Sequence, residues 1–435
     1  MATKYQDYLF MSKEKKIGME PELRFSLSNN QPFPHWEETK LSKIAKLVTK
    51  KNKLNNISRV LTNSAADGIV DQRDYFDKDI ANKSNLEGYY IVDYGDYVYN
   101  PRISTAAPVG PISRNKIAMG VMSPLYTVFR FSNNNNDFFE QYFKTTAWHK
   151  YLHAVSNTGA RFDRMSITPT VFMEMPLPYP HPEEQQKIAD CLSSLDNLIT
   201  AETEHLGALK AYKKGLMQNL FPLPGEMAPL MRFPEFKDSE EWNEKSLHEI
   251  LVEGRLGGNY ENSDAISGMP VIKMGNLERG QMNVKKLQYL PNESAYNKED
   301  ILKNNDLLFN TRNTLELVGK VAIWKNELPV ALYNSNLLRL SFHKDYIASN
   351  VFMNYFFNTQ STISSLRSMA TGTTSVAAIY TKDLLTLTVT FPSLPEQQKI
   401  ADCLSSMDEE ISVQTEKIEA LKLHKKGLVQ QLFPF

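Results

Sequence analysis

Cysteine is nearly absent: Cys191 and Cys403 are the only two in 435 residues. That excludes a disulfide-stapled secreted scaffold and a multi-cysteine zinc site, and makes reducing, cytoplasmic conditions the expectation. Both are expected to be small buried hydrophobes beside a helix seam. Glycine is sparse at 19 residues; with 42% hydrophobic and 23% charged residues, the chain is not a disordered or collagenous one. No apolar run is long enough to span a membrane. Met1 to Lys16 carry charge but no apolar stretch with a cleavage site, so no signal peptide is expected. Neither sign of charge is in excess, with 49 Lys plus Arg against 50 Asp plus Glu. Net charge alone therefore points to neither nucleic acid nor membrane. Catalytic motifs are missing too. There is no phosphate-cradling loop ending in Gly-Lys-Ser/Thr, no G-x-G-x-x-G and no G-x-S-x-G. His149 and His153 are four apart, but Lys150 stands where a metalloprotease helix carries Glu, and packing is the expected role of both. No metal and no catalytic residue is assigned.

What is present is a duplication. Glu184 to Pro222 and Glu396 to Pro434 align without a gap at an offset of 212, and 26 of 39 positions are identical. A fainter echo precedes each copy. Pro21-Glu-Leu-Arg-Phe25 answers Pro229-Leu-Met-Arg-Phe233, and Trp36, Leu41 and Ile44 answer Trp242, Leu247 and Ile250. Gly95 to Arg102 answers Asn305 to Arg312, and Thr158-Gly159 answers Thr371-Gly372.

Each repeated segment reads as a long helix. Pro182 and Pro395 suit a first turn, Glu183, Glu184 and Glu396 suit the positive end of the dipole, and Phe-Pro ends each copy. About 40 residues make an arm of about 60 Å. The seam steps by four and three. It runs through Ile188, Leu192, Leu195, Ile199, Glu202, Leu206, Leu209, Lys213, Leu216 and Leu220. The second copy gives Ile400, Leu404, Met407, Ile411, Gln414, Ile418, Leu421, Lys425, Leu428 and Leu432. The seam is symmetric about a point between Gly207 and Ala208. An antiparallel pair with a pseudo-twofold through its middle then puts Leu195 near Leu432, Glu202 near Lys425 and Lys213 facing Gln414. Such a charge pair adds little stability but fixes register.

The expected fold is α+β: two mixed α/β domains in pseudo-twofold tandem, separated by two long antiparallel coiled-coil helices. The boundaries are a 1–35 N-terminal segment, domain one at 36–181, a first arm at 182–222, a 223–241 linker, domain two at 242–394 and a second arm at 395–435. Strand-like runs include Tyr89 to Val92, Tyr97 to Tyr99, Val128 to Phe131, Leu307 to Phe309, Val321 to Trp324 and Leu385 to Phe391.

In each domain a strand ending in Asn-x-Arg follows an Asp turn. Asn100 and Arg102, with Asn310 and Arg312, are residue types that read base edges or grip phosphate, Arg toward guanine and Asn toward adenine. The competing reading is a structural Asp turn with an Arg ion pair. Lys40, Lys43, Lys46, Lys50, Lys51 and Lys53 have near-helical spacing, which suits either a solvated face or phosphate contact. Arg161 and Arg164 follow Thr158-Gly159, and Thr373, Thr374 and Ser375 follow Gly372; both clusters are candidate DNA-contacting loops.

The whole pattern resembles the specificity subunits of type I restriction-modification systems. The resemblance rests on a proline leading into Glu-Gln-Gln-Lys-Ile-Ala at Pro182 to Ala189 and at Pro395 to Ala401. It rests also on the paired helices ending Lys-Lys-Gly-Leu, the Trp-x4-Leu entries at Trp36 and Trp242, and the Gly/Asn-Asp…Asn-x-Arg turns. It implies two target-recognition domains, each reading half of a split sequence in double-stranded DNA, and a non-catalytic chain. The arms are then a spacer on which two modification (methyltransferase) subunits and the restriction subunits assemble. S-adenosylmethionine and ATP belong to those partners, and none is bound by this chain. Alternatives from other classes are a single-chain nuclease or methyltransferase, a DNA-independent scaffold or decoy for modification subunits, and the specificity subunit of a related cut-on-both-sides system.

Overall fold

The computed structural model describes residues 20–75, 86–133, 136–156 and 163–434. The chain forms two units. One takes the chain up to Glu202 together with Lys417–Phe435, and the other takes Thr203–Glu416. Among the described residues no helix is long and apolar enough to cross a membrane, and no group of His, Cys, Asp and Glu is placed to hold a metal.

The first unit is organised by a four-stranded antiparallel sheet in the order Ala45–Leu47, Thr127–Phe131, Tyr97–Tyr99, Ile112–Arg114. Strand side chains alternate between faces, and here both faces are covered. Tyr97, Tyr99, Phe129 and Phe131 enter an aromatic core with Phe138, Phe143, Trp148 and Phe172. The intervening Val98 and Val128 enter a second cluster with Leu61, Ile69, Val92 and Met122. Each fully buried side chain of this size contributes roughly 1.5–3 kcal/mol.

The second unit repeats this plan. Its sheet runs Leu251–Leu256, Leu337–Phe342, Leu307–Asn310, Val321–Ile323. Leu307 and Phe309 face one core and Leu308 faces another. The run Leu385 to Phe391 is only partly strand. A one-turn helix at Thr381–Leu384 precedes it, and pairing begins at Thr388. Both Asp turns also recur. Gly95 (φ 91°) and Asn305 (φ 66°) supply the positive φ that each turn needs. Asp96 then meets the Arg130 guanidinium (2.5 Å), and Asp306 meets that of Arg339 (3.4 Å).

Each domain closes at its root by a two-stranded ladder, Glu37–Lys40 with Pro176–Tyr179 and Asn243–Ser246 with Thr388–Phe391. There the repeated Glu-Gln motif acquires its role. Glu184 is fully buried, and Arg24 grips it with two donors at 3.0 and 2.8 Å while the Trp36 indole N–H donates to it at 3.0 Å. Glu396, 1% exposed, is held the same way by Arg232 at 2.9 and 2.5 Å. The neighbouring Gln185 and Gln397 donate to the carbonyls of Pro180 (2.8 Å) and Pro392 (2.9 Å). The Pro-x-x-Arg-Phe echo is thus a counter-charge for a buried carboxylate. Arg232 ties Glu396 of the arm to the Ser239 and Glu240 carbonyls, and Met231 N–H bonds the Asn219 carbonyl, so residues 223–241 are docked on the arms.

The arms span Pro182–Leu220 and Leu394–Leu432. In the first unit Ile188 and Leu192 share a core with Leu432 and Phe433, and the Lys425 ammonium closes on the Asp196 carboxylate. In the second, Leu216 and Leu220 share a core with Ile400 and Leu404, and Lys213 meets Asp408 at 2.5 Å. The start of one arm therefore lies beside the end of the other within each unit, so the arms run antiparallel.

The register differs from the expected one. Lys425 pairs with Asp196 rather than Glu202, and Lys213 with Asp408 rather than Gln414, a shift of six residues in both places. Glu202 instead meets Lys417 at 2.7 Å, and Leu432 packs with Ile188 and Leu192 rather than centring on Leu195. A step close to one heptad returns nearly the same apolar positions to the seam, so periodicity leaves such registers almost equal; the charged pairs separate them. Along the seam Leu195, Ile199, Leu206, Leu209, Met407, Ile411, Leu421 and Leu428 are half-buried, while Gln414 and Ile418 are buried. Cys191 and Cys403 are half-buried free thiols.

Candidate nucleic-acid interface

In the first unit the strand Tyr97–Tyr99 leads directly into Asn100-Pro101-Arg102. The Asn100 amide donates to the Asn63 carbonyl (2.9 Å) and its side-chain oxygen accepts the Arg102 backbone N–H (3.0 Å). Asn100 therefore shapes the turn. Gly110 (φ 81°) backs this turn, and a Cβ there would lie 2.0 Å from the Asn100 carbonyl oxygen. The turn aims Arg102 outward, where it is exposed and pairs across an antiparallel bridge with Arg164. Two backbone hydrogen bonds hold the bridge, Ile103 to Asp163 (3.0 Å) and Met165 to Pro101 (2.9 Å). Arg164 rests on Asp163 at 3.2 Å, and that hydrogen bond, with the field of Arg102 adding to it, lowers the Asp163 carboxyl. Arg161 and Thr158-Gly159 lie outside the described residues.

The lysine run is not one helical face. Lys40 ends a strand, Lys43 sits on the single turn Leu41–Ile44 and Lys46 is on the strand Ala45–Leu47. Lys40 is bound to Glu174 at 2.6 Å, while Lys43 and Lys46 are exposed. Sheet pairing of Ala45–Leu47 with Phe129–Phe131 overrides the spacing, against the low strand propensity of Ala and Lys. Sequence reasoning also missed a cleft of about 550 Å³ beside the Asn100 turn, lined by Ser64, Asp67, Arg114, Lys116, Glu140 and His149. Its cations are partnered: Arg114 by Asp137, and Lys116 by Glu140 at 2.6 Å.

The second unit repeats the arrangement with different loops. Asn310 ends its strand fully buried and accepts the Arg312 N–H at 3.3 Å. It too is structural, because no surface is left for a base. Arg312 is exposed on the short strand Arg312–Asn313, which pairs with Ala377–Ala378, itself paired with Thr371–Gly372. The tip of that hairpin carries Thr373, Thr374 and Ser375, all exposed. It is tied back by Leu315 N–H to the Thr374 carbonyl at 3.1 Å. Gly372 (φ 132°) is required, since a Cβ would meet the Val376 carbonyl oxygen at 2.3 Å. Val376 (59% exposed) and Leu315 stand beside the threonines; apolar groups of this kind meet thymine methyls. They carried no sequence signal, since an exposed aliphatic residue is unremarkable until its neighbours are known.

Each unit thus brings an exposed arginine, aimed by a buried or turn-bound asparagine, against a second chain segment about 60 residues later. Arg102 meets Arg164, and Arg312 meets the hairpin of Thr373 and Thr374. Guanidinium forks and hydroxyls on rigid strands suit groove or phosphate contact.

Comparison with known proteins agrees with the repeat. A family model described as the type I restriction modification DNA specificity domain matches twice, over residues 35–211 and 239–423. The specificity subunit of the type I restriction enzyme MjaVIII from Methanocaldococcus jannaschii is 27% identical over 274 residues, 60% of this chain and 62% of that one. The type I restriction enzyme EcoKI specificity subunit of Escherichia coli is 24% identical over 255 residues, 58% of this chain and 54% of that one. The chain spans about half the length of the curated relatives it matches. Among solved structures, a type I restriction-modification S subunit from M. genitalium aligns with a TM-score of 0.55 at 12% identity, covering 96% of this chain and all of that one. A chain from a study of assembly and conformational transition in the type I system gives 0.53 at 15% identity, covering 92% and 98%. At these identities the structural likeness speaks for the fold.

Proposed function

The chain belongs to the family of type I restriction modification DNA specificity domains, and from that premise we propose that it is the sequence-reading subunit of a type I restriction-modification complex. Each unit reads one half of a bipartite site in double-stranded DNA. The single observation that carries this is the recurrence of one aimed arginine per unit, Arg102 and Arg312, on matching scaffolds with unlike surrounding loops. Matching scaffolds suit matching partners, and unlike loops suit unlike half-sites.

The work of this chain is recognition, not bond-making. Arg102 with Arg164, and Arg312 with Thr373 and Thr374, contact the duplex, while Lys43 and Lys46 supply phosphate contacts. The antiparallel arms set the gap between half-sites, against a DNA repeat of about 34–36 Å per turn. Two modification subunits and the restriction subunits assemble on the arms and bring S-adenosylmethionine and ATP. The cytoplasm is the setting that this assignment requires.

The test is methylome sequencing of a host with and without this chain. A methylated bipartite motif with two unlike halves that disappears with the chain is the expected result. An unchanged methylome in a host shown to make the modification subunits overturns the assignment.

A further inference from the structure

The arms keep a group of residues that the fold does not use. Near the end of each arm, most identities between the two copies have an internal reason. Lys213 and Lys425 bind Asp408 and Asp196. Leu216 and Leu220 lie in one domain core, and Leu428 and Leu432 pack in the other. Lys214, Gly215 and Gln218 recur as Lys426, Gly427 and Gln430 without such a reason. Both lysines and both glutamines are exposed. Lys214 and Lys426 pair with no acid among the described residues.

The glycines are the sharper signal. Inside a helix glycine is less favourable than alanine, because it gives up more backbone freedom on folding. It is retained where a side chain would collide, and here none would. A Cβ at Gly215 or Gly427 would meet nothing within 4 Å. Nor does every glycine of the arm recur: Gly207 is equally open, and the second copy has Glu419 there. The neighbouring flank also changes, at every seventh residue. His205, Tyr212 and Asn219 become Lys417, His424 and Gln431, all exposed. General likeness between the copies therefore does not explain Gly215. Residues 211, 214, 215 and 218 share one face of the helix, and position 211 changes only from Ala211 to Leu423. What keeps Gly215 and Gly427 bare then lies outside the chain.

We propose that Gly215 and Gly427 are the centres of two equivalent docking patches, each taking one copy of the same protein partner. The partner lays its main chain against the bare glycine and sets a carboxylate on Lys214 or Lys426. This rests on the assembly proposed above, and it makes the partner the modification subunit. Each unit carries one patch, since Gly215 lies within Thr203–Glu416 and Gly427 within Lys417–Phe435. A missing side chain lets two backbones approach closely, while the lysine and glutamine supply a polar rim. Duplex DNA fits this face less well, because a phosphate backbone is held by cations and needs no glycine between them.

The full chain is titrated with purified modification subunit, and bound copies are counted by native mass spectrometry. The unaltered chain is expected to take two. Gly215→Ala should weaken one of the two binding steps about tenfold, while raising the melting temperature of the free chain by about one or two degrees. Gly427→Ala should do the same, and the double variant should weaken both steps. Gly207→Ala should raise the melting temperature with no loss of binding. Lys214→Glu should weaken the same step as Gly215→Ala, by a factor that shrinks as salt rises. A Gly215→Ala chain that still binds both copies normally overturns the patch. So does a fall in its melting temperature, which makes the glycine structural. Normal partner binding with weakened DNA binding assigns the face to DNA and also overturns it. If the unaltered chain binds no modification subunit, the proposed assembly fails and the patches with it; a patch that fails alone leaves two copies bound.

Discussion

Lys425 closes on the carboxylate of Asp196, and at the repeat offset of 212 the same residue types meet again as Lys213 and Asp408. Each arm thus offers an acid near its start and a lysine near its end, and antiparallel packing joins them in both units. Asp196→Lys is expected to destabilise the chain, and the swap Asp196→Lys with Lys425→Asp to recover most of the loss. The pair is partly open to solvent, so the coupling from a double-mutant cycle should be about 1 kcal/mol. The same swap built on Glu202 and Lys425 should show no coupling; coupling there would restore the register expected from periodicity.

The root clamps make a sharper contrast. Arg24→Ala leaves the fully buried Glu184 with the Trp36 indole but without a counter-charge, which costs about 3 kcal/mol. Trp36→Phe removes a hydrogen bond to a buried carboxylate and should cost about 2 kcal/mol. Trp242 occupies the matching place, yet its indole N–H has no partner among the described residues. Trp242→Phe therefore loses packing but no hydrogen bond, and chemical denaturation should rank it as the milder change. Equal losses would contradict the asymmetry.

On the proposed reading, the two half-sites should be separable by mutation. Arg312→Ala should relax or abolish one half of the methylated motif and leave the other intact, while Arg102→Ala should do the reverse. A base contact of this kind carries about 1–3 kcal/mol of discrimination. Gly372→Ala, which forces a Cβ toward the Val376 carbonyl oxygen, should act on the same half as Arg312→Ala with little effect on the melting temperature. A motif altered in both halves by either arginine variant would break the one-unit, one-half-site rule.

Acid should loosen the entry to domain two. Glu249 accepts the Ser246 backbone N–H and hydroxyl, both at 2.8 Å, and Lys245 at 3.2 Å. Those contacts, the backbone one first, hold its carboxyl down at about 2. The unfolded chain binds a proton near pH 4.3, so it holds more protons than the folded chain between there and about pH 2. Stability from this group is complete above pH 4.3 and is lost as pH falls towards 2. Stability curves of the protein and of Glu249→Gln should therefore converge below about pH 2 and separate above pH 4.3. Parallel curves across that window would remove Glu249 from the account.

Much of this was readable beforehand, for physical reasons that differ by residue. The arms announced themselves because 39-residue helices repeat a 3.5-residue period, and few other structures do. Their register stayed hidden, because a heptad-scale slip preserves apolar contact and only Asp196, Asp408 and their lysines resolve it. The turn roles of Asn100 and Asn310 stayed one of two readings in the sequence, because an Asx turn and an adenine edge call for the same side chain. Arg102 and Arg164 were both candidates, but nothing local tells residue 102 that residue 164 will lie opposite. Arg24 and Arg232 were visible as an echo without a purpose, since the carboxylates they neutralise lie 160 and 164 residues away.

The two roots share one fitting: an arginine, a buried glutamate and a glutamine on a proline carbonyl. The tryptophan hydrogen bond is found, among the described residues, at the first root alone, but the shared arginine, glutamate and glutamine should let either root take either head. Exchanging whole domains should then give new pairings of half-sites with little change in the joint. A chimera carrying domain one at both roots should melt as cooperatively as the parent and direct its modification subunits to a motif whose two halves are the same word.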